Sequence, residues 1–405
     1  MKTDSAIARP ERARIPNLEV LALGKIIGQL AFGTLEIVLP NGQQLTFEGK
    51  HHPEVRAQWR VLNMRAIRRL ISSGAVGFAE GYLEGDWTTP SLPDLMRLAA
   101  HNDASMSDRT QGLWLSRLLN RLQHLANNNS RSRAKRNIAY HYDLGNEFYS
   151  AWLDDSMTYS SALFRHSDMS LMEAQAAKLD RLIEVADIQG HVSVLEIGCG
   201  WGSFLERAAG HTAGPVTGIS ISERQCEYAR QRLANRDIAN ATVAFRDYRD
   251  MTGTFDRIVS IEMFEAVGEA YWSTYAAALK RLLSRNGKAA LQVITIDESR
   301  FDQYRRSADF IQRYIFPGGM LPTKEKLNNL FKASGLRVTD TLSFGHDYAK
   351  TLECWRHEFH AKWPTLRTLG FDEKFRRMWD YYFAYCEGGF LAGSVDVVQI
   401  GVEHD

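Results

Sequence analysis

Alternating apolar and polar residues predict a β-hairpin close to the beginning of the chain. Residues 34–39 and 43–48 both alternate, and the segment Pro40-Asn41-Gly42 joins them. Asn-Gly supplies the positive φ values that a tight turn between two strands requires. The two segments are therefore expected to pair as antiparallel strands.

Helical spacing surrounds this hairpin. Residues 20–32 have helical or mixed character, and residues 60–72 and 113–125 carry apolar side chains at helical spacing. The last of these is typical of an amphipathic helix that packs on a neighbour or lies on a lipid surface. We expect a small α+β domain in residues 1–125 that faces lipid, followed by a basic linker at 126–140 that is solvated or contacts phosphate.

A different pattern begins near residue 190, where short apolar runs alternate with helical stretches. The strand-like runs are residues 192–197, 216–219, 241–245, 256–261 and 288–296. The helical stretches between them include residues 204–209, 222–235 and 270–284. Such alternation implies a mostly parallel sheet covered by helices on both faces. Residues 141–405 are therefore expected to form an α/β domain.

Length and charge narrow the function. With 405 residues, the chain exceeds the roughly 250–300 residues at which single cores usually divide, so two domains are expected. Its 49 basic and 48 acidic residues leave a net charge of +1, which argues against a nucleic-acid partner.

Cysteine usage and hydropathy indicate the compartment. The 4 cysteines have no CxxC spacing and are too few for a disulfide framework, so we expect no metal site and a reducing cytoplasm. The first residues carry charges and lack the apolar core of a secretory signal. No stretch reaches the roughly 18 apolar residues that span a bilayer, so membrane contact would be peripheral.

A glycine-rich turn follows the first strand of the α/β pattern. Residues 194–202 read Val-Leu-Glu-Ile-Gly-Cys-Gly-Trp-Gly. At a turn from strand to helix, free backbone N–H groups bind an anionic group, and glycines let it come close. The glycines are more tightly spaced than the GxGxxG of dinucleotide enzymes, and Gly-Ile-Ser-Ile-Ser follows at 218–222. The pattern favours an S-adenosylmethionine-dependent methyltransferase over a dehydrogenase or a purely structural turn.

Several further segments resemble the cyclopropane fatty acid synthase family. They occur in the family's order over roughly residues 75–400. The similar segments are His-Tyr-Asp-Leu-Gly-Asn-Glu-Phe-Tyr at 141–149, Met-Thr-Tyr-Ser at 157–160, the glycine turn, Asp-Arg-Ile-Val-Ser at 256–260, Phe264-Glu265, Tyr-Ile-Phe-Pro-Gly-Gly at 314–319 and Asp-Val-Val-Gln at 396–399.

This resemblance implies a fold, a reaction and a location. The fold is a seven-stranded Rossmann-like class I methyltransferase domain behind a small α+β N-terminal domain. The reaction converts a cis double bond in an acyl chain of a membrane phospholipid to a cyclopropane. The enzyme would bind peripherally to the inner face of the cytoplasmic membrane, and the resemblance alone suggests a homodimer.

The resemblance also carries over cofactor contacts. Tyr248 and Arg249 would lie near the adenine. The other S-adenosylmethionine contacts would be Tyr159, Ser160, Glu196, Gly198, Cys199, Gly200, Trp201, Gly202, Ser220, Ile221 and Gln225. Within the turn, Cys199 is interpreted as a small packing residue and not as a nucleophile.

An isolated alkene is a poor nucleophile, so its methylation needs a pocket that tolerates positive charge on carbon. Aromatic faces supply that tolerance. Aromatic residues crowd the segment before the glycine turn and would either face the cation or belong to the core. They are Tyr142, Phe148, Tyr149, Trp152, Tyr159 and Phe164.

After methyl transfer a base must remove a proton. In the resembled family this base is a bound bicarbonate, and its ligands carry over to Glu265 and Tyr348, with backbone N–H groups at Ser161 and Ile296. Serine at 161 replaces the family's cysteine.

Two further positions bear on the base. The family's histidine is replaced by Ile294, which removes a ligand of the base or reshapes the site toward a different proton loss. Cys386 aligns with a cysteine that family descriptions assign to the active site, although the chemistry forms no covalent enzyme intermediate.

Four functions therefore stay open. The first is cyclopropane formation, and the second, suggested by Ser161 and Ile294, is methylation without ring closure to a methylene or methyl-branched chain. The third is a non-catalytic lipid-binding protein with a vestigial methyltransferase fold. The fourth is a small-molecule methyltransferase, which would need a closed polar pocket.

Overall fold

A computed structural model describes residues 18–28, 30–110, 144–306 and 308–405, with side chains described up to residue 103 in the second range. The N-terminal elements are helices α1 (Leu18–Ile27), α2 (Arg65–Leu83) and α3 (Leu92–Thr110) and strands β1 (Phe32–Val38), β2 (Gln44–Glu48), β3 (His51–Val61) and β4 (Trp87–Thr88). The strands form one sheet in the order β2-β1-β3-β4. The predicted hairpin is confirmed, since β1 and β2 pair antiparallel and Gly42 has a φ of 84°.

The second group of elements begins after residue 143. Its helices are α4 (Asn146–Ser150), α5 (Leu171–Ala186), α6 (Ser203–Ala209), α7 (Glu223–Asn235), α8 (Trp272–Leu282), α9 (Glu298–Tyr304), α10 (Lys324–Ala333), α11 (Gly345–Ala361), α12 (Trp363–Thr368) and α13 (Glu373–Leu391). Its strands are β5 (Val194–Ile197), β6 (Val216–Ser220), β7 (Ala241–Phe245), β8 (Phe255–Ile261), β9 (Leu283–Ile296), β10 (Leu336–Ser343) and β11 (Val395–His404). Short 3₁₀ turns at Tyr248–Asp250, Phe264–Ala266 and Glu269–Tyr271 and a π-helical turn at Ile311–Ile315 complete this list.

The seven strands of this second group form one sheet in the order β10-β11-β9-β8-β5-β6-β7. The pairs from β9 to β7 are parallel, whereas β11 pairs antiparallel with both β9 and β10. The mostly parallel seven-stranded sheet expected from the sequence is therefore confirmed. The carboxyl ends of β5, β6 and β8 lie side by side, which is where open α/β sheets bind ligands.

One N-terminal prediction was wrong. Residues 60–72 are not one helix, because β3 continues to Val61 and α2 begins only at Arg65. Strand β3 pairs in parallel with β1, which places Trp59 opposite Ile37 in the core. This long-range pairing overrides the local helical spacing. The expected helix at 113–125, the linker at 126–140 and both domain boundaries lie outside the described residues.

The N-terminal elements share a hydrophobic core with the carboxyl-terminal helices. Helix α13 packs closely on α3 at Gly388, where a Cβ atom would come within 2.6 Å of the Arg97 backbone nitrogen. The buried Tyr82 hydroxyl donates to Asp380 over 2.6 Å, which joins α2 to α13. Among the described residues, no helix combines the length and the apolar character that crossing a membrane requires.

Candidate active site

The glycine turn joins β5 to α6 at the carboxyl edge of the sheet. Gly198, Gly200 and Gly202 have φ angles of 86°, 50° and 85°, which L side chains rarely adopt. A Cβ at Gly198 would lie 2.8 Å from Met263, and one at Gly202 would lie 2.9 Å from Ala229. The turn therefore needs its glycines both for backbone conformation and for close packing.

A cavity of about 1590 Å³ opens beside this turn. Ser161 and Gly202 do not line it. The predicted site residues that do are Tyr159, Ser160, Glu196, Gly198, Cys199, Gly200, Trp201, Ser220, Ile221, Gln225, Tyr248, Arg249, Glu265, Ile296, Tyr348 and Cys386. Drug-sized ligands occupy pockets of roughly 300–1,000 Å³. This cavity is therefore large enough for S-adenosylmethionine together with a long apolar substrate.

The part of the cavity beside the glycine turn presents an acidic group. Glu196 is 2% exposed, and within the described part of the chain its Oε2 atom has no hydrogen-bond partner. Burial raises the pKa of Glu196 to about 8, and the positive charge of Lys178 opposes this rise. A buried, unpaired carboxylate oxygen beside a glycine turn fits a ligand with a cationic amino group, such as S-adenosylmethionine.

Lys178 is a site residue that the sequence did not reveal. This lysine of α5 is fully buried, and its Nζ atom donates to the Ser160 hydroxyl over 2.6 Å. Gln175, one helical turn earlier, donates to the Ser160 carbonyl over 2.9 Å. Two side chains of α5 therefore fix Ser160 at the cavity wall. The helical spacing of Gln175 and Lys178 was the available signal.

The aromatic walls come mostly from a different part of the chain than expected. Of the predicted residues, Tyr159 lines the cavity, where its hydroxyl lies 2.8 Å from that of Tyr382. Phe148, Tyr149 and Trp152 belong to the core and do not line the cavity, so the cation-facing interpretation of these three was wrong. Phe164 instead contacts the Lys350 ammonium at 4.1 Å, and Tyr142 lies outside the described residues. The other aromatic residues that line the cavity include Phe316, Tyr348, Tyr381, Tyr382, Tyr385 and Phe390.

The centre of the candidate base site is Glu262, which sequence reasoning did not single out. Its Oε1 atom accepts from the Ser161 N–H over 2.8 Å and from Gln292 Nε2 over 2.7 Å. Its Oε2 atom accepts from the Tyr348 hydroxyl over 2.7 Å. Glu262 also has a φ of 48°, a conformation that a non-glycine residue adopts at a cost and that often marks functional positions.

The expected bicarbonate does not fit this arrangement. The Ser161 N–H and the Tyr348 hydroxyl, which the family resemblance assigns to bicarbonate, both bind Glu262 instead. The Ile296 N–H donates to the Pro322 carbonyl over 2.9 Å. Other groups of the protein therefore already bind the three hydrogen-bond donors that the resemblance assigns to a bicarbonate.

Glu265 lies beside Glu262 but has different surroundings. Its Oε1 atom accepts from the Ile294 N–H, and among the described residues its Oε2 atom has no hydrogen-bond partner. Burial and the charge of Glu262 raise the pKa of Glu265 to about 8. Burial also raises the pKa of Glu262, but the Tyr348 hydrogen bond, the Lys178 charge and the Ser161 and Gln292 donors oppose this rise. Glu265 is therefore mainly protonated near neutral pH, whereas Glu262 has the donors that stabilise a carboxylate.

The remaining predicted residues have partners that explain their positions. Ser220 donates to Gln225 Oε1 over 3.0 Å, and Arg249 pairs with Asp247 over 2.6 Å. Burial holds the pKa of the Cys386 thiol well above its usual range, which argues against a nucleophilic thiolate. Cys199 lies in the core at 4% exposure, as expected for a packing residue.

The chain matches a known protein family. A family model described as mycolic acid cyclopropane synthetase matches residues 129–400. The chain belongs to this family. This match confirms the resemblance found in the sequence. The relatives of the chain have names that describe different reactions.

Two curated relatives of this cyclopropane synthase family cover most of the chain. Tuberculostearic acid methyltransferase UfaA1 of Mycobacterium tuberculosis is 39% identical over 82% of this chain and 79% of its own length. Cyclopropane-fatty-acyl-phospholipid synthase of Escherichia coli K12 is 34% identical over 86% of this chain and 89% of its own length.

A solved family structure supports the cofactor assignment. The mycolic acid cyclopropane synthase CmaA1, complexed with SAH and CTAB, is 31% identical, with a TM-score of 0.62 over 66% of this chain and 97% of its own. Together with the glycine turn, family membership makes this chain an S-adenosylmethionine-dependent methyltransferase.

The turn yields a first prediction. Replacing Gly198 by Ala should weaken S-adenosylmethionine binding about tenfold or more in calorimetry, because the new Cβ both strains the backbone and displaces Met263. Gly253→Ala is the matched control, since Gly253 has a φ of 84°, open space around it and no place in the cavity. Equal affinities of the two variants would contradict the assigned role of the turn.

Proposed function

We propose that this enzyme methylates a cis double bond in an acyl chain of a phospholipid, with Glu262 as the base, and yields a methylene-branched chain. One observation carries the proposal. The Glu262 carboxylate binds both the Ser161 N–H and the Tyr348 hydroxyl, which the family resemblance assigns to a bound bicarbonate. The relative whose name describes a tuberculostearic acid methyltransferase also supports methylation without ring closure.

The residues of the chain account for each requirement of this reaction. When bound, S-adenosylmethionine supplies an electrophilic methyl group. The electron pair of the alkene forms the new bond to this methyl group as the bond from methyl to sulfur breaks, which leaves a cation on the neighbouring carbon. The aromatic rings of Tyr159, Tyr348 and Tyr382 line the cavity where this cation is stabilised.

Whether a hydride shift precedes proton removal then decides the product. A hydride shift moves the positive charge to the carbon that bears the new methyl group. Glu262 takes a proton from that methyl group, and the electron pair of the broken C–H bond forms a double bond between the chain carbon and its new methylene branch. For this step three donors at 2.7–2.8 Å hold the Glu262 side chain in place. Neutral Glu265 beside it adds no second negative charge.

Cyclopropane formation is the second candidate. It is favoured by the 34% identity to the Escherichia coli synthase and by Glu265 and Tyr348 at the family positions. Without the hydride shift, loss of a proton from the same methyl group closes a three-membered ring. Both reactions draw a substrate from a bilayer, so the proposal includes peripheral contact with the cytoplasmic membrane.

The test uses S-adenosylmethionine labelled in its methyl group and vesicles of phospholipids with cis-unsaturated chains. We expect label in the acyl chains, detected by mass spectrometry after hydrolysis of the lipid. Vesicles with saturated chains should take up none. Absence of label from unsaturated chains would contradict the proposal. Absence of S-adenosylmethionine binding in calorimetry would favour a non-catalytic lipid-binding protein.

A further inference from the structure

The cavity extends well beyond the reacting groups and into the N-terminal domain. Its lining there comes from α1, β1, β3, α2, α3 and the loop after α1, and apart from Ser73 and Asp103 the described lining residues of this part are apolar or glycine. We call this part the N-terminal lobe. Its walls include Leu30, Leu35, Trp59, Leu70, Leu95 and Leu98, each 8% exposed or less.

The lobe is continuous with the active site across the contact between α3 and α13. Gly388 brings these helices together, and Met96 of α3 and Gly389 of α13 both line the cavity. Beyond this junction, Phe390 lines the cavity and stacks on Tyr348 with ring centres 4.5 Å apart. Apolar surface therefore leads from the tyrosine that binds Glu262 into the N-terminal lobe.

The shape of α2 also opens the lobe. Gly74 interrupts this helix with φ 59° and ψ −139°, a conformation restricted essentially to glycine. Ser73, Gly74, Ala75 and Val76 line the cavity at this break. The interruption thus exposes residues 73–76 of α2 to the lobe. A straight helix would present other residues there.

Chemistry decides which part of a lipid this lobe accepts. An ester or a headgroup placed against these walls would lose its hydration without gaining polar partners, which is costly. The described charged residue of the lobe lining, Asp103 of α3, pairs with Arg300 of α9. A hydrocarbon tail suits the lobe, because burying each CH₂ contributes about 0.8 kcal/mol.

We infer that the N-terminal lobe holds the methyl-terminal part of the acyl chain and measures the distance from the chain end to the double bond. This inference rests on the proposed function and adds its regiochemistry. The lobe wall fixes how far the tail enters, and this depth determines which carbons reach Glu262. The family model begins at residue 129, so the lobe is built by a part of the chain outside it.

The test compares two variants on one face of β1. Leu35 and Ile37 are both buried, but only Leu35 lines the cavity. Vesicles contain equal amounts of two positional isomers of a cis-octadecenoyl phospholipid, and the product ratio is measured by mass spectrometry. Leu35→Ala should shift the ratio about tenfold toward the isomer with the longer methyl-terminal segment. Ile37→Ala should destabilise the fold similarly and leave the ratio unchanged.

A narrowing variant gives the opposite sign. Leu98→Phe should favour the isomer whose double bond lies nearer the methyl end. Equal ratios for Leu35→Ala and Ile37→Ala would overturn the inference, and so would a shift toward the isomer with the shorter methyl-terminal segment in Leu35→Ala. Either result leaves acyl methylation itself intact.

A binding measurement separates failure of the inference from failure of the proposed function. A phosphatidylcholine with a diazirine at the methyl end of its unsaturated chain is photolysed with the full-length protein, without turnover. Crosslinks to peptides within residues 65–103 are expected. Crosslinks confined to peptides after residue 144 would overturn the lobe assignment even if no methylation is detected.

Discussion

Replacing Glu262 by Gln should lower kcat by about 10²- to 10⁴-fold while leaving the affinity for S-adenosylmethionine unchanged. General-base catalysis typically contributes this factor, and glutamine retains the size of the side chain but not its basicity. The amide can still accept from Ser161 and Gln292, so the local structure should survive. Steady-state kinetics with unsaturated vesicles and calorimetry with S-adenosylmethionine measure the two effects.

Glu265→Gln is the matched control for this variant. Glu265 is three residues away in the same segment and lines the same cavity, but burial and the neighbouring Glu262 keep it protonated near neutral pH. Glutamine mimics a protonated carboxyl group, so kcat should fall by less than about tenfold. If Glu265→Gln were inactive and Glu262→Gln retained its activity, the roles of base and neutral neighbour would be reversed.

The pH dependence of kcat should change when Tyr348 is replaced. Because Glu262 must be ionised to accept a proton, kcat should fall about tenfold for each pH unit below its pKa. Burial raises this pKa, and the hydrogen bond from Tyr348 is the strongest opposing influence. Tyr348→Phe removes that donor, so the acidic limb of the profile should move upward by about one pH unit or more.

The direction of this shift distinguishes positioning from simple packing. A purely structural tyrosine would change kcat by the same factor at every pH. The kcat profiles of wild type and variant should instead converge at high pH, where Glu262 is ionised in both proteins. The other groups that influence Glu262 are Lys178, Gln292, the Ser161 N–H and the neighbouring Glu265. Both proteins contain all of them, so they do not account for a difference between the profiles. A limb that stays in place, or moves to lower pH, would contradict the role given to Tyr348.

Much of the fold followed from local sequence patterns. The parallel strands carry continuous apolar runs, and the glycine turn marks the end of the first of them. Strands β5 to β9 were therefore predicted within a few residues, except at the start of β9. Strand β3 was missed because most residues from His51 to Arg56 are polar and all of them are exposed or half-buried. Its place in the sheet depends on pairing with β1, which local spacing does not reveal.

The glycine turn could be recognised from the sequence, but the hydrogen bonds of Glu262 could not. Glu196 and the glycines lie together in one short segment, whereas Ser161, Glu262 and Tyr348 come from three distant segments. The family resemblance instead pointed to Glu265 and Ile294. Glu262 directly follows β8 and lies three positions before Glu265. Only the fold shows that it binds Ser161 and Tyr348.

The structure of the product shows whether Glu262 replaces bicarbonate as the base. The enzyme is supplied with S-adenosylmethionine carrying a ¹³C-labelled methyl group and with cis-unsaturated phospholipid in buffer free of bicarbonate, and the acyl chains are examined by NMR. If Glu262 acts in place of bicarbonate, turnover should be undiminished and the label should appear in the carbon of a methylene branch. Label in a cyclopropane ring carbon, formed only when bicarbonate is restored, would show instead that bicarbonate is the base and that the ring closes.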